Sequence, residues 1–97
     1  MSYLERSEFD VTDPDALDRI LPDAAKIVRA ADGCLGVRAL RGVEQPDRYL
    51  LLIDWVSVQH HINFSQTEEF REFVASVRQY FAGPSNMAHF AELTHLT

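Results

Sequence analysis

The stretch Arg48-Tyr49-Leu50-Leu51-Leu52-Ile53-Asp54-Trp55 decides the fold of this chain. It is apolar almost throughout, which is typical of a strand that is covered on both faces. Because side chains alternate along a strand, one face is predicted to carry Tyr49, Leu51, Ile53 and Trp55, and the other Leu50 and Leu52. We expect helices to cover one of these faces, and a second subunit could cover the other.

Two further strands and a helix are predicted before this stretch. Residues 4–11 alternate, with Ser7, Phe9 and Val11 on one face, and Cys34 to Gly42 should pair with the apolar strand as a hairpin. Between them, Thr12-Asp13-Pro14 supplies a capping oxygen and a proline suited to the first helical position. Apolar residues then recur at helical spacing up to a capping Gly33, and Pro22 is expected to kink or break this helix.

Helices and a last strand are predicted after the apolar strand. Ser57 can cap a short helix, and Ser65-Gln66-Thr67-Glu68 has the form of a capping box for a longer amphipathic helix that ends at Gly83-Pro84. A strand from Met87 to about Leu96 follows. The order βαββαβ predicts one α+β domain over residues 1–97 with a ferredoxin-like fold, a four-stranded antiparallel sheet carrying helices on one face.

Charge and composition exclude several classes of function. The formal net charge of -6 over 97 residues has the wrong sign for nucleic acid or anionic lipid, and no apolar run approaches the length of a membrane span. The N-terminal residues lack the order of a signal peptide, and the single cysteine, Cys34, reads as a small buried hydrophobe. We therefore expect a cytoplasmic protein that binds neither nucleic acid nor membranes.

The candidate chemistry lies in histidines and aromatic residues on and after the apolar strand. Histidine titrates near neutrality and can accept a proton from a phenol or enol, while aromatic walls bind a flat substrate. Each residue also has a structural alternative, since Trp55, Phe70 and Phe73 could be core residues and His61 or His89 could be structural. His60 and His95 are expected to be solvated. Adjacent histidines chelate poorly from one helix, so no metal site is predicted.

Several stretches together resemble the antibiotic biosynthesis monooxygenase family. They are the junction Asp32-Gly33-Cys34-Leu35-Gly36, the apolar strand itself, Ser57 through His61 with Phe64, and Met87-Ala88-His89-Phe90. The resemblance implies a dimeric α+β barrel in which two sheets pack face to face and each subunit keeps its own cavity. It also implies oxidation of phenolic substrates by molecular oxygen without flavin or metal. The first strand lacks the asparagine that haem-degrading relatives use there, which disfavours haem degradation.

These expectations give one leading function and two alternatives. The first is a cofactor-independent monooxygenase for a small aromatic or quinol-like substrate, with His61 or His89 as the base. Its predicted substrate-binding residues are Tyr49, Trp55, Phe64 and Phe73. The alternative is a dimeric ligand-binding or structural protein whose cavity performs no oxidation, and a more distant one is an isomerase or lyase on the same barrel.

Overall fold

The computed structural model describes residues 2–96 and contains a single antiparallel sheet with helices. The strands are β1 (Tyr3–Asp10), β2 (Cys34–Arg41), β3 (Arg48–Trp55) and β4 (Asn86–Ala91). The helices are α1 (Pro14–Arg29), α2 (Val58–Phe64) and α3 (Glu68–Val77), and a 3-10 turn, Arg78–Tyr80, follows α3. The strand order β2-β3-β1-β4 confirms the predicted ferredoxin-like fold. No helix within residues 2–96 has the length and apolar character needed to cross a bilayer.

The sheet has one buried and one partly open face, as the alternation along β3 predicts. The side chains of Tyr49, Leu51, Ile53 and Trp55 are buried, whereas Leu50 and Leu52 are half-buried on the opposite face. The buried face packs against the three helices, and Leu17 and Val28 of α1 are among its most deeply buried partners. In the register of the sheet, Glu5 of β1 lies between Ile53 and His89, so its side chain is on the buried face.

Helix α1 continues through Pro22, where the sequence predicts a kink or a break. The expected break does not occur, and the helix is continuous from its N-cap Asp13, whose carboxylate accepts a hydrogen bond from the Ala16 N–H, to Arg29. A proline inside a helix costs about 3 kcal/mol. Buried residues on both sides of Pro22, Leu17, Ala24 and Val28, pack into the core and hold the two halves together.

The turn after α1 contains the only positive φ angle among residues 2–96. Gly33 was expected to cap α1 directly, but the helix ends earlier and Gly33, at φ +83°, forms the turn into β2. A Cβ atom at this position would lie 2.3 Å from the ring of His60, so glycine is required by both conformation and space. This turn brings α2 close to the start of β2.

The second half of the chain differs from the prediction in three boundaries. The cap of α3 is Thr67, which accepts from the Phe70 N–H at 3.1 Å, whereas Ser65 has helical angles and terminates α2. The α-helix ends at Val77, and Phe81 instead forms a bridge with Val11. Strand β4 ends at Ala91 because β1, its pairing partner, begins opposite it at Tyr3. The prediction that this strand reaches Leu96 was therefore wrong.

Candidate functional site

A cavity of about 340 Å³ lies between the buried face of the sheet and the helices. This volume falls within the range of small-molecule sites, which are mostly apolar with a few placed polar groups. The cavity follows that pattern, with walls largely of aromatic and aliphatic side chains, including Phe9, Tyr49, Leu51, Phe64, Phe70 and Phe73. The polar or charged side chains that border it are Glu5, Ser7, His61, Arg78 and Ser85.

His61 is the imidazole on the cavity wall. It is placed by α2, which begins directly after β3 because the Ser57 hydroxyl caps it. Its Nδ1 lies 2.7 Å from Nε2 of His89, which projects from the buried face of β4. The side chain of His61 is 12% exposed, and His89 does not border the cavity. Thus the structure brings the two predicted catalytic histidines together, one facing the cavity and the other behind it.

Glu5 completes this group of side chains. It is 7% exposed and is the only buried polar or charged residue within residues 2–96. One of its oxygens, Oε1, accepts a hydrogen bond from the indole Nε1–H of Trp55 at 2.9 Å and lies 3.2 Å from Nε2 of His61. We call Glu5, Trp55, His61 and His89 the His61 cluster.

Trp55 lies behind His61, apart from the cavity surface. It is completely buried, and its ring stacks on the His61 ring with centroids 5.5 Å apart and an angle of 18° between the planes. On another side it packs against Phe64, whose ring does border the cavity. The geometry makes Trp55 a neighbour of the imidazole and of the carboxylate at once.

The electrostatics of the His61 cluster favour a neutral imidazole. Burial lowers the pKa of His61 below its ordinary value of 6.5, the negative charge of Glu5 opposes this effect, and His89 adds to it. Desolvation disfavours a charged imidazole, whereas a nearby carboxylate favours it. A neutral histidine near pH 7 has a lone pair available to accept a proton.

Tyr49 and Phe73, two of the predicted substrate-binding residues, lie on the cavity wall. The Tyr49 hydroxyl is directed at α1, where it donates to an Asp18 carboxylate oxygen and lies 3.1 Å from the Pro14 carbonyl oxygen. Burial, followed by the contact with Asp18, raises the pKa of Tyr49 to about 12. The phenol therefore stays protonated at physiological pH, and its ring is the part that faces the cavity.

The other two histidines and the cysteine do not border the cavity. His60 is half-buried instead of fully solvated, because its ring packs beside Gly33 and its Nδ1 lies 2.7 Å from the Ser57 hydroxyl. His95 is exposed at 71%, as expected, and Cys34 is buried and free. Residues 2–96 contain no group of three or more His, Cys, Asp or Glu side chains arranged to hold a metal ion. Glu5 and His89 contact opposite nitrogens of His61, so the three do not converge on one point.

Glu5 is the residue that the sequence analysis missed. The alternation of β1 could have revealed it, since Glu5 shares the inward parity of Ser7 and Phe9. A carboxylate at an inward position of a strand is unusual because burying a charge without a partner is costly. Its partner, Trp55, lies on a neighbouring strand fifty residues away, so the pairing follows only from the register of the sheet.

The profile of the family described as "Antibiotic biosynthesis monooxygenase" matches residues 12–76. Because this match spans more than half of the chain, the protein belongs to the antibiotic biosynthesis monooxygenase family. Comparison with curated proteins finds no match.

Solved structures show the same fold over nearly the whole chain. A candidate antibiotic biosynthesis monooxygenase from Bordetella bronchiseptica is similar at 28% identity and a TM-score of 0.90, over 96% of this chain and 98% of that one. SnoaB, a cofactor-independent oxygenase from Streptomyces nogalater, has 14% identity and a TM-score of 0.86, over 98% and 96% of the two chains. At the lower identity, the likeness to SnoaB concerns the fold alone.

Proposed function

We propose that this protein is a cofactor-independent monooxygenase that oxidises a small aromatic or quinol-like substrate with molecular oxygen. The observation that carries the proposal is His61, a mostly buried imidazole on the wall of an aromatic cavity, in a member of a monooxygenase family. The shared fold with a cofactor-independent oxygenase supports the absence of flavin and metal from the reaction.

His61 is the catalytic base in this proposal, and His89 is the residue that positions it. If Nδ1–H of His61 donates to Nε2 of His89, the lone pair of His61 lies on Nε2, the nitrogen that is 3.2 Å from Oε1 of Glu5. The burial that lowers the pKa of His61 keeps its ring neutral near pH 7, so one of its two nitrogens has a lone pair. In this proposal, the bound substrate transfers its phenolic or enolic proton to Nε2, and the resulting N–H faces the Glu5 carboxylate.

The reaction balances without an external reductant. Removal of a proton from the substrate gives an electron-rich anion that reduces oxygen and combines with it. For a substrate methylene group beside an aromatic ring, CH₂ plus O₂ gives C=O plus H₂O, so one oxygen atom enters the substrate and the other leaves as water. The apolar walls at Tyr49, Phe64 and Phe73 exclude water and hold the flat ring system, and Trp55 supports the base from behind.

Oxygen uptake tests this proposal. Metal-stripped protein is assayed over a panel of anthrones, quinols and flavonoid-like phenols, beside His61→Ala and a matched control, His95→Ala, whose imidazole is exposed. We expect uptake with at least one substrate, a fall of about a hundredfold or more in His61→Ala, and no change in the control. Uptake that survives His61→Ala would refute the assigned base. Binding of panel compounds without any uptake would identify a ligand-binding barrel instead.

We also propose that the chain forms a homodimer through the open face of the sheet. The cross-strand register places Leu4 opposite Phe90 and Leu40 opposite Leu50 on this face. Phe90 is 46% exposed and Leu40 is 42% exposed, so burial against a second copy would remove apolar surface from water.

A further inference from the structure

We propose that Glu5 is a positioning residue of the site, whose carboxylate, held by Trp55, stabilises the His61 imidazolium that forms when the substrate loses its proton. This inference rests on the proposed function for its chemical meaning. The effect of Glu5 on the protonation of His61 does not depend on the proposed function, because these side chains are in contact in the substrate-free protein. Nothing in the composition of β1 requires a carboxylate on the buried face of the sheet.

Glu5 has the placement that this function needs. Its Oε1 is 3.2 Å from Nε2 of His61, the nitrogen that would receive the proton. The two side chains are 9% and 12% exposed, so water screens their interaction far less than it would at the surface. When His61 gains a proton, the negative charge of the Glu5 carboxylate is already in position to stabilise the imidazolium.

Trp55 gives the carboxylate a fixed orientation. Its indole N–H donates to the same Oε1 at 2.9 Å, and the tryptophan itself is 0% exposed, so it has little freedom to move. The stacked indole face also favours a cation on the imidazole ring. Trp55 thus acts on His61 in two ways, through Glu5 and through its own ring.

The groups that face His61 come from three strands. Glu5 of β1 supplies a negative charge, His89 of β4 supplies a second imidazole, and Trp55 of β3 supplies no charge. Glu5 raises the pKa of His61, whereas burial and His89 lower it. Glu5 is therefore the group whose removal should make His61 harder to protonate.

An NMR titration of the His61 imidazole in the substrate-free protein tests this inference. The variant is Glu5→Gln, which keeps the shape and removes the charge. The matched control is Glu8→Gln on the same strand, where the carboxylate lies on the open face and pairs with Arg6. Glu5→Asp, which retains the charge on a shorter side chain, provides a second variant if Glu5→Gln fails to fold.

We expect the pKa of His61 to fall by about one unit or more in Glu5→Gln, by less in Glu5→Asp, and not at all in Glu8→Gln. In parallel, the acid limb of the oxygen-uptake profile should move to lower pH in Glu5→Gln, and kcat should fall. An unchanged His61 titration in Glu5→Gln, or in Glu5→Asp where that is the variant that folds, would overturn the inference even if the enzyme is active. A shifted titration in a protein without oxygen uptake would refute the proposed function alone.

Discussion

His61 and His89 are 28 residues apart in the chain, yet Nδ1 of the first lies 2.7 Å from Nε2 of the second. One is carried by a short helix and the other by the last strand, and only the pairing of β4 with β1 brings them together. The two imidazoles therefore form a single unit whose geometry depends on the sheet.

If the two histidines act as a unit, their substitutions should not be additive. His89→Ala is expected to lower kcat/KM by about tenfold, the value of one lost hydrogen bond that orients the base. The double variant should then be no less active than His61→Ala alone, because His89 acts only through His61. The check is a double-mutant cycle on kcat/KM, and additive losses would show that His89 has a separate function.

Protein stability should decrease on mild acidification. The pKa of His61 is lowered in the folded state, so below its ordinary value of 6.5 the unfolded chain binds a proton more readily than the folded chain. The free energy of unfolding therefore falls as the pH drops below about 6.5. We expect Tm to fall in this range and to depend less on pH in His61→Gln, which has no titrating group at position 61. Equal pH dependence in both proteins would contradict this assignment.

Filling the cavity should weaken ligand binding without unfolding the protein. Ser7 lies at the cavity floor, between Leu51 and Met87 in the register, and Ser7→Phe would place a ring in the space that a substrate needs. Calorimetric titration with a panel phenol should show binding weakened by about tenfold or more, a loss of about 1.4 kcal/mol. The control is Gln66→Phe at an exposed position outside the cavity. Full affinity in Ser7→Phe would place the ligand elsewhere.

Association through the open face of the sheet should be sensitive to charge there. Sedimentation at micromolar concentration is expected to give about twice the 11.1 kDa chain mass. Leu50→Lys should shift the protein toward the monomer, because a charge would be buried between the two copies. Val43→Lys, at an 86% exposed residue in the turn between β2 and β3, is the control and should leave the mass unchanged. A monomeric wild type would contradict the dimer.

Most of the fold could be predicted because it follows from local patterns. The alternation of β3, the caps at Asp13 and Ser57 and the turns between strands each act over a few residues, and the structure contains all of them. The prediction was wrong where residues distant in sequence determine the end of an element. Strand β4 is an example, because it ends at Ala91, opposite the first residue of β1, Tyr3.

The candidate site was predicted in part for the same reason. Aromatic residues and histidines can be found by composition, and His61, Phe64, Phe73 and Tyr49 do border the cavity. Glu5 was missed because its significance depends on Trp55, which reaches it across neighbouring strands. A sequence shows which residues alternate, but it does not show the register that makes two of them neighbours.

The surroundings of Trp55 have a practical consequence. The chain has a single tryptophan, and its indole touches both the carboxylate and the imidazole of the His61 cluster. A protonated imidazole quenches indole fluorescence more strongly than a neutral one. The emission of the unlabelled protein should therefore dim as His61 gains a proton, which gives the molecule an optical indicator of its own acid–base state.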